Sequence, residues 1–360
     1  MLEEEKRVLD RVRAQYHVFL VDEYQDVSPL QQKLLEAWLG DREDLVVVGD
    51  ASQTIYSFAG ASSSYLLEFP ERYPRGSVVR LENNYRSSEH IVRAANHIMA
   101  GRPGALTLEA QKGPSQPIHR HVATSDVAEA RYVAMTIRRL IDEGQTPDGI
   151  AVLIRFGAQS LEIETALRAE GIGVRVQGAT PFFEETHVKR ALMEIRGAAV
   201  AGVSGSLTQV VDDILFGLGL QGEAPDHQGA ERNRFDDLSA LRALAHSMPA
   251  GSTVSEFSDV LADRAGAGDA PDLGAVTITT VHSAKGREWP AVFVIGLTEG
   301  MFPISYASSD DALDEERRLF YVAVTRAQRH LFLSMAERGR AEHSLRQPSR
   351  FLQALAQPSP

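Results

Sequence analysis

Residues that could do chemistry gather in a few short stretches of this 360-residue sequence. In "HVFLVDEYQD", His17 to Asp26, an apolar run ends on the adjacent acids Asp22 and Glu23, with Gln25 and Asp26 just beyond. In "LVVVGDASQTIYSF" a second run ends on Asp50, with Gln53 close behind. Arg86 follows a third run in "SVVRLENNYRSS", and Arg326 follows the apolar "LFYVAV" in "EERRLFYVAVTRAQR". Such a set suits nucleotide hydrolysis. One acid can ligate magnesium, a second can take the proton of the attacking water, and arginines from elsewhere can neutralise charge on the phosphoryl oxygens. Each residue also has a plainer reading: adjacent acids at a strand end are commonly solvated turn residues, and the usual fate of an arginine is a surface ion pair. Their joint occurrence after apolar runs is what favours a site.

The elements that must position them follow from the same runs. Short apolar stretches bounded by charge, Gly or Pro read as buried strands, and in an open parallel sheet ligands sit at the carboxyl ends. From Met1 to Asn96 such strands ("HVFLV", "LVVVGD", "SVVRLENNYRS") alternate with helical patterns, including the charged amphipathic "MLEEEKRVLDRVRAQY", a helix from Leu30 to Leu39 and "SEHIVRAANHIM". "GRPGALTLEAQKGPSQP", Gly101 to Pro117, reads as a linker. A second alternating block holds the strands "IAVLIRF" and "VRVQG" between helices. From Gly197 to Leu273 only short helical pieces appear, and the strands "AVTITTVHSAKG", "AVFVIGLTEG" and "RHLFLSMAE" then resume. The expected class is α/β with parallel sheets. Its units are 1–96, then 97–196 joined to 274–340, with a small inserted helical subdomain at 197–273 and a tail at 341–360.

Bulk properties set limits. Hydrophobic content of 43% and charged content of 24% are those of a soluble globular protein. The absence of cysteine excludes disulfides and thiolate metal sites, and fits a reducing cytoplasm. No run is long enough to span a bilayer, and the start does not read as a signal peptide, so no membrane association is expected. A net charge of −12 argues against coating nucleic acid through charge alone, yet permits a local basic or aromatic track.

"VDEYQD", "VVGDASQTIYSFAGA", "RLENNYRSS", "VTITTVHSAKGREWPAVFVIGLTEGMFP" and "DEERRLFYVAVTRAQRHLFLS" together resemble the successive motifs of the UvrD/Rep/PcrA DNA helicases of superfamily one. "IAVLIRFGAQSLEIETALRAEGIGVRVQGATPFFE" is similar to that family's second motor domain. The resemblance implies two RecA-like motor domains, ATP and Mg2+ as cofactors, and single-stranded DNA or single/double-strand junctions as partners. It further implies an ATP-dependent 3′ to 5′ helicase and translocase serving repair or replication. Position by position, Asp22 matches the magnesium ligand, Glu23 the catalytic base and Gln53 the sensor of the terminal phosphate. Tyr85 matches an aromatic that packs on adenine, Arg86 and Arg326 the arginines that reach the terminal phosphate, and Glu288 the acid that contacts the ribose. Asp50 joins them at the nucleotide edge. Tyr56 and Phe58 match aromatics that stack on unpaired bases, and Thr280, His282 and Ser283 the motif that links strand binding to the nucleotide site. Alone, His282 would read better as a satisfied core histidine.

Departures matter as much. Common members of the family carry Trp then Arg where this chain has Phe58 then Ala59, which weakens one stack and removes one polar contact. The family's phosphate loop, G-x-x-x-x-G-K-[ST], has no counterpart, since no Gly-Lys pair occurs; "SAKGRE" has the reverse order. The first motor domain is therefore expected to be incomplete, and this chain alone to hydrolyse ATP poorly. The alternative is a non-catalytic strand-binding or regulatory remnant. "GDASQTIYSFAGA" and the brief insertion also resemble the actinobacterial second UvrD-type helicases.

Overall fold

A computed structural model describes residues 6–113, 116–177, 182–222, 230–266, 274–339 and 345–355. After helix α1 (Lys6–Gln15), β1 (Phe19–Val21) pairs in parallel with β2 (Leu45–Val47), Phe19 opposite Leu45. The crossover between them is α2 (Pro29–Leu39), whose start is written locally. The Ser28 hydroxyl accepts the Gln31 N–H, the Gln31 side chain accepts the Ser28 N–H, and Pro29 supplies a preset φ. Gly40, at φ +63°, ends the helix. In β1 and β2 the middle residues, Leu20 and Val46, are exposed.

Two single-turn helices, α3 (Ser64–Leu67) and α4 (Phe69–Arg72), precede β3 (Asn83–Asn84), α5 (Glu89–Met99) and β4 (Glu109–Ala110). The strand expected over "SVVRLENNYRS" is reduced to β3, paired with β4, and Val78, Val79 and Leu81 are exposed. β-Branched residues fit a pleated, half-buried surface, and among the described residues no strand lies beside 77–81 to provide one.

The remaining elements are β5 (His119–Ala123), α6 (Asp126–Asp142), β6 (Ile150–Ile154), α7 (Ser160–Ala169), β7 (Val174–Gln177), α8 (Thr186–Ala201), α9 (Leu207–Gly217), α10 (Ala230–His246), α11 (Val254–Gly266), β8 (Val276–Thr280), β9 (Trp289–Val294), α12 (Asp310–Thr325), β10 (Ala327–Ala336) and α13 (Arg350–Ala354). Six strands form one parallel sheet in the order β5-β10-β9-β6-β8-β7. Its two faces follow from strand alternation. Ala151, Leu153, Val292, Val294, Leu331 and Leu333 join a core with α5 and α12, while Ile150, Val152, Ile154, Ala291, Phe293 and Phe332 join a second core with α6 and α7. A parallel sheet requires cover on both sides, and that requirement explains why "IAVLI" is apolar throughout.

A third core unites α8, α9, α10 and α11 through Val188, Ile195, Val211, Leu215, Leu241 and Phe257. The helical pieces read from the sequence are therefore present, with α8 among them. The breaks expected within 223–229 and 267–273, the first residues of the opening helix and the chain end at 356–360 lie outside the described residues. Among the described residues no helix is long and apolar enough to cross a membrane.

One buried ion pair ties the six-stranded sheet to α12. Arg155, directly after β6, places Nε 3.2 Å from both carboxylate oxygens of Glu316 and Nη2 2.7 Å from Oε1. Both side chains are almost wholly buried, and Glu316 also accepts the Ile304 N–H. Removing one partner of such a pair strands the other's charge, at a cost of about 3–5 kcal/mol. Arg155→Met is therefore expected to lower the unfolding free energy measured in urea by about that amount. The double variant Arg155→Met/Glu316→Leu should recover most of the loss, and a single variant indistinguishable from the parent would show that the pair does not carry the join.

Candidate active site

β1 and β2 end side by side, and their loops build the acidic edge. The Val48 N–H donates to the Val21 carbonyl and the Tyr24 N–H to the Val48 carbonyl, so Asp22 and Glu23 project between two anchored bonds. Asp22 is exposed and accepts the Glu23 N–H through Oδ1 at 2.8 Å. Glu23 has φ +52°, and among the described residues no other non-glycine has a positive φ. That conformation costs on the order of 1–3 kcal/mol and needs support from its surroundings. Support comes from Gln25, which is buried: its Nε2 donates to Glu23 Oε2 at 2.6 Å and its Oε1 accepts the Asp50 N–H at 3.0 Å. One amide thus links the two strand ends. Asp50 in turn accepts the Ser52 N–H through Oδ1 and Gln53 Nε2 through Oδ2, both at 2.9 Å.

The arginines approach from the other side. Arg326 caps the end of α12, and its side chain is 1% exposed. Its Nε donates to the Val322 carbonyl and Nη1 to the Arg287 carbonyl, while Nη2 donates to Thr325 Oγ1 and lies 3.5 Å from Gln53 Oε1. Burial, followed by repulsion from Arg86, lowers its pKa to about 10, which leaves it cationic at neutral pH. Arg86 pairs with Glu288, and Gln328 Nε2 donates to the same carboxylate at 2.8 Å. Burial pushes Glu288 up, but the Gln328 hydrogen bond and the Arg86 charge outweigh it and hold the carboxyl below its usual range. Tyr85 beside them is 70% exposed, open to a planar group. Tyr321 of α12 reaches Asp50 Oδ2 at 3.4 Å, and burial first, then Asp50, raises its pKa.

A second face lies beyond Gln53. Tyr56 is half-buried and donates its hydroxyl to the His282 carbonyl at 3.1 Å, whereas Phe58 is 63% exposed. The His282 ring lies 6.0 Å from Phe58 and 6.4 Å from Tyr56, which makes an aromatic cluster open on its Phe58 side. Burial, with the Arg155 charge behind it, lowers the His282 pKa to about 3, so its imidazole is neutral at ordinary pH. Thr280 and Ser283 bond to each other, Oγ1 to Oγ at 3.0 Å, and close the turn that carries His282. The residues proposed for the nucleotide and for the strand are therefore two faces of one seam, between residues 22–58 and residues 280–326, which Arg86 joins through its pair with Glu288 and Tyr85 as its neighbour.

Several residues of the seam were not singled out in the sequence. Lys285 of "SAKGRE" bonds to Asp26, Arg318 donates to the Thr54 carbonyl at 2.7 Å, and Glu315 accepts from Ser57. Their signal was the apolar periodicity of α12 and the position of Lys285 in a motif, but neither identifies a partner. For a magnesium ion the arrangement fits a site completed by phosphate. Among the described residues no group of three acids or histidines could hold a metal by itself, and magnesium is ordinarily held by one or two carboxylates together with substrate phosphates. Asp22 stands exposed at the strand end.

Comparison with known proteins bears on the family. Residues 1–74 match the UvrD/REP helicase N-terminal domain, and residues 79–219 and 237–338 match the UvrD-like helicase C-terminal domain. The chain is similar to the ATP-dependent DNA helicase UvrD2 of Mycobacterium tuberculosis H37Rv, 42% identical over 370 residues that cover 99% of this chain and 52% of that protein. It is similar also to DNA helicase II of Escherichia coli K12, 30% identical over 96% of this chain and 59% of that one. The chain thus spans a little over half the length of these relatives. A linear set of motifs, a six-stranded parallel sheet and two matching family domains lead to one assignment: this chain belongs to the UvrD/Rep/PcrA family of DNA helicases.

Proposed function

We propose that the chain forms part of an ATP-dependent, magnesium-using helicase that moves 3′ to 5′ along single-stranded DNA and engages single/double-strand junctions. The observation that carries this reading is the seam itself, where Arg326 and Gln53 meet opposite the Glu23 carboxylate while Phe58 and His282 present an aromatic face a few residues away. In this reading 1–96 and 97–196 with 274–340 are the two motor units, 197–273 the insertion and 341–360 the tail. α5 packs on the six-stranded sheet and α8 in the helical cluster.

The roles follow from where the side chains stand. Asp22 ligates magnesium, which when bound neutralises charge on the phosphates. Glu23 takes the proton of the attacking water through Oε1, the oxygen that receives no donor among the described residues. Gln53 senses the terminal phosphate beside Arg326, which contacts it, and Arg86 turns from Glu288 toward it from the other side. Tyr85 covers the adenine and Glu288 the ribose. Tyr56 and Phe58 hold unpaired bases, with Thr280, His282 and Ser283 beneath. A neutral His282 suits stacking and hydrogen bonding to a base, and leaves strand affinity without a histidine titration near neutral pH. The chain contains no Gly-Lys phosphate loop, so the triphosphate is held here without that cradle, and turnover by the 360-residue chain alone is slow.

Two measurements test the reading. Oligo(dT) affinity followed by fluorescence anisotropy should weaken by about 1–3 kcal/mol in Phe58→Ala, the worth of one stacked base; equal affinity before and after removes Phe58 from the strand track. ATP hydrolysis is measured with and without oligo(dT) and magnesium. Strand-stimulated turnover that disappears in Glu23→Gln, with oligo(dT) affinity retained, is the expected pattern. Turnover that survives the substitution assigns the base elsewhere, and strand binding with no turnover in the parent chain means that the acidic edge is half of a catalytic site that needs the phosphate loop.

A further inference from the structure

Lys285 takes no part in the roles above, yet it is withdrawn from water at the seam. Its side chain is 7% exposed, and a buried ammonium must have each proton accepted. Three acceptors surround it: the Asp26 carboxylate, the Gln53 carbonyl at 2.8 Å and Glu23 Oε2 at 3.3 Å. The Tyr56 ring lies 5.3 Å away as a fourth neighbour. All four belong to the 22–56 side, whereas Lys285 belongs to the turn after β8, two residues from Ser283 and three from His282. The same turn therefore touches the aromatic face through His282 and the acidic edge through Lys285.

We propose that Lys285 is a positioning residue: carried by the strand-contact turn, its ammonium fixes Oε2 of Glu23 and the Asp26 carboxylate, so that a base stacked on Phe58 and His282 alters how the catalytic carboxylate is held. This inference rests on Glu23 as the base. Gln25 and Lys285 both bind Oε2, which leaves Oε1 without a donor among the described residues and able to receive a proton. Asp26 anchors the lysine. Its Oδ1 is buried without a hydrogen-bond partner, so its charge is compensated from the Oδ2 side, where Lys285 sits. Burial raises the Asp26 pKa despite that lysine, as expected of a carboxylate with little water and one strong partner. Displacement of the turn would therefore be opposed by Asp26 and transmitted to Glu23.

The test reads Lys285 directly. The full chain is treated with limiting acetic anhydride and the acetylated peptides are quantified by mass spectrometry, with exposed Lys33 and Lys189 as internal references. In the parent chain Lys285 is expected to react roughly tenfold more slowly than Lys33, because reaction requires local opening. Asp26→Asn and Glu23→Gln should each accelerate Lys285 while Lys33 and Lys189 hold constant. A purely structural Lys285–Asp26 pair would respond to Asp26→Asn alone, and that result overturns the proposal. So does a parent chain in which Lys285 reacts at the Lys33 rate. With oligo(dT) bound, as verified by anisotropy in the same sample, the Lys285 rate should shift; an unchanged rate overturns the link to the strand. If oligo(dT) does not bind, the strand reading of the preceding section fails and the link to the turn is overturned with it. The contact with Glu23 is still judged by the two variants.

Discussion

Cations withdrawn from water at a seam cannot be left without acceptors, and the arrangement of this protein depends on that constraint. Arg326, Lys285 and Arg318 all come from the 280–326 side. Each finds an acceptor on the opposite side, at Gln53 Oε1, at Asp26 with Glu23, and at the Thr54 carbonyl. Desolvation of a charge is far more costly than one hydrogen bond is favourable, so an interface built this way tolerates little sliding. The acidic side contributes equally specific groups, because Asp50 and Gln25 hold Gln53 and Glu23 in place before any cation arrives. Registration of the two sides is therefore part of the chemistry of the site.

Much of the scaffold was legible in the sequence, for reasons that particular residues show. "IAVLIRF" and "AVFVIG" are continuous apolar runs, and such runs belong in a parallel sheet covered on both faces, where Val152 and Leu153 indeed enter opposite cores. Ser28, Pro29 and Gln31 state the start of α2 within a few residues. "SVVRL" carried the same strand signal and did not become a strand, since its pairing depends on a neighbour that local sequence does not describe. Lys285 exposes the same limit at the site. The motif "TTVHSAKG" was readable, but Asp26 lies 259 positions away, and the pairing arises only when the loop after β1 of the two-stranded sheet meets the turn after β8 of the six-stranded sheet.

The acidic balance of the chain and its proposed DNA partner are reconciled by location. A net charge of −12 describes the whole surface, whereas a track for unpaired bases needs exposed aromatic faces and only local charge. Phe58 is exposed, His282 is held neutral, and the cations nearest them are occupied by carboxylates and carbonyls at the seam. Strand contact through such a face relies on stacking more than on released counterions, so its salt dependence is that of a few phosphate contacts.

The strain at Glu23 shows how the acidic edge is fixed from both sides. Val21 is held by the Val48 N–H, and Tyr24, wholly buried, is held by the Val48 carbonyl through its N–H and by Gln32 through its hydroxyl at 2.7 Å. Between these anchors two residues must turn the chain outward, and the left-handed conformation of Glu23 completes the turn. A glycine would adopt that conformation without strain but would carry no carboxylate. With glutamate there, the side chain is presented from a backbone that neighbours over-determine, and its remaining freedom is taken up by Gln25 and Lys285 at Oε2. The carboxylate is thereby held with little conformational entropy left to lose, which is the property that the base proposed here needs if it is to meet a water at one point.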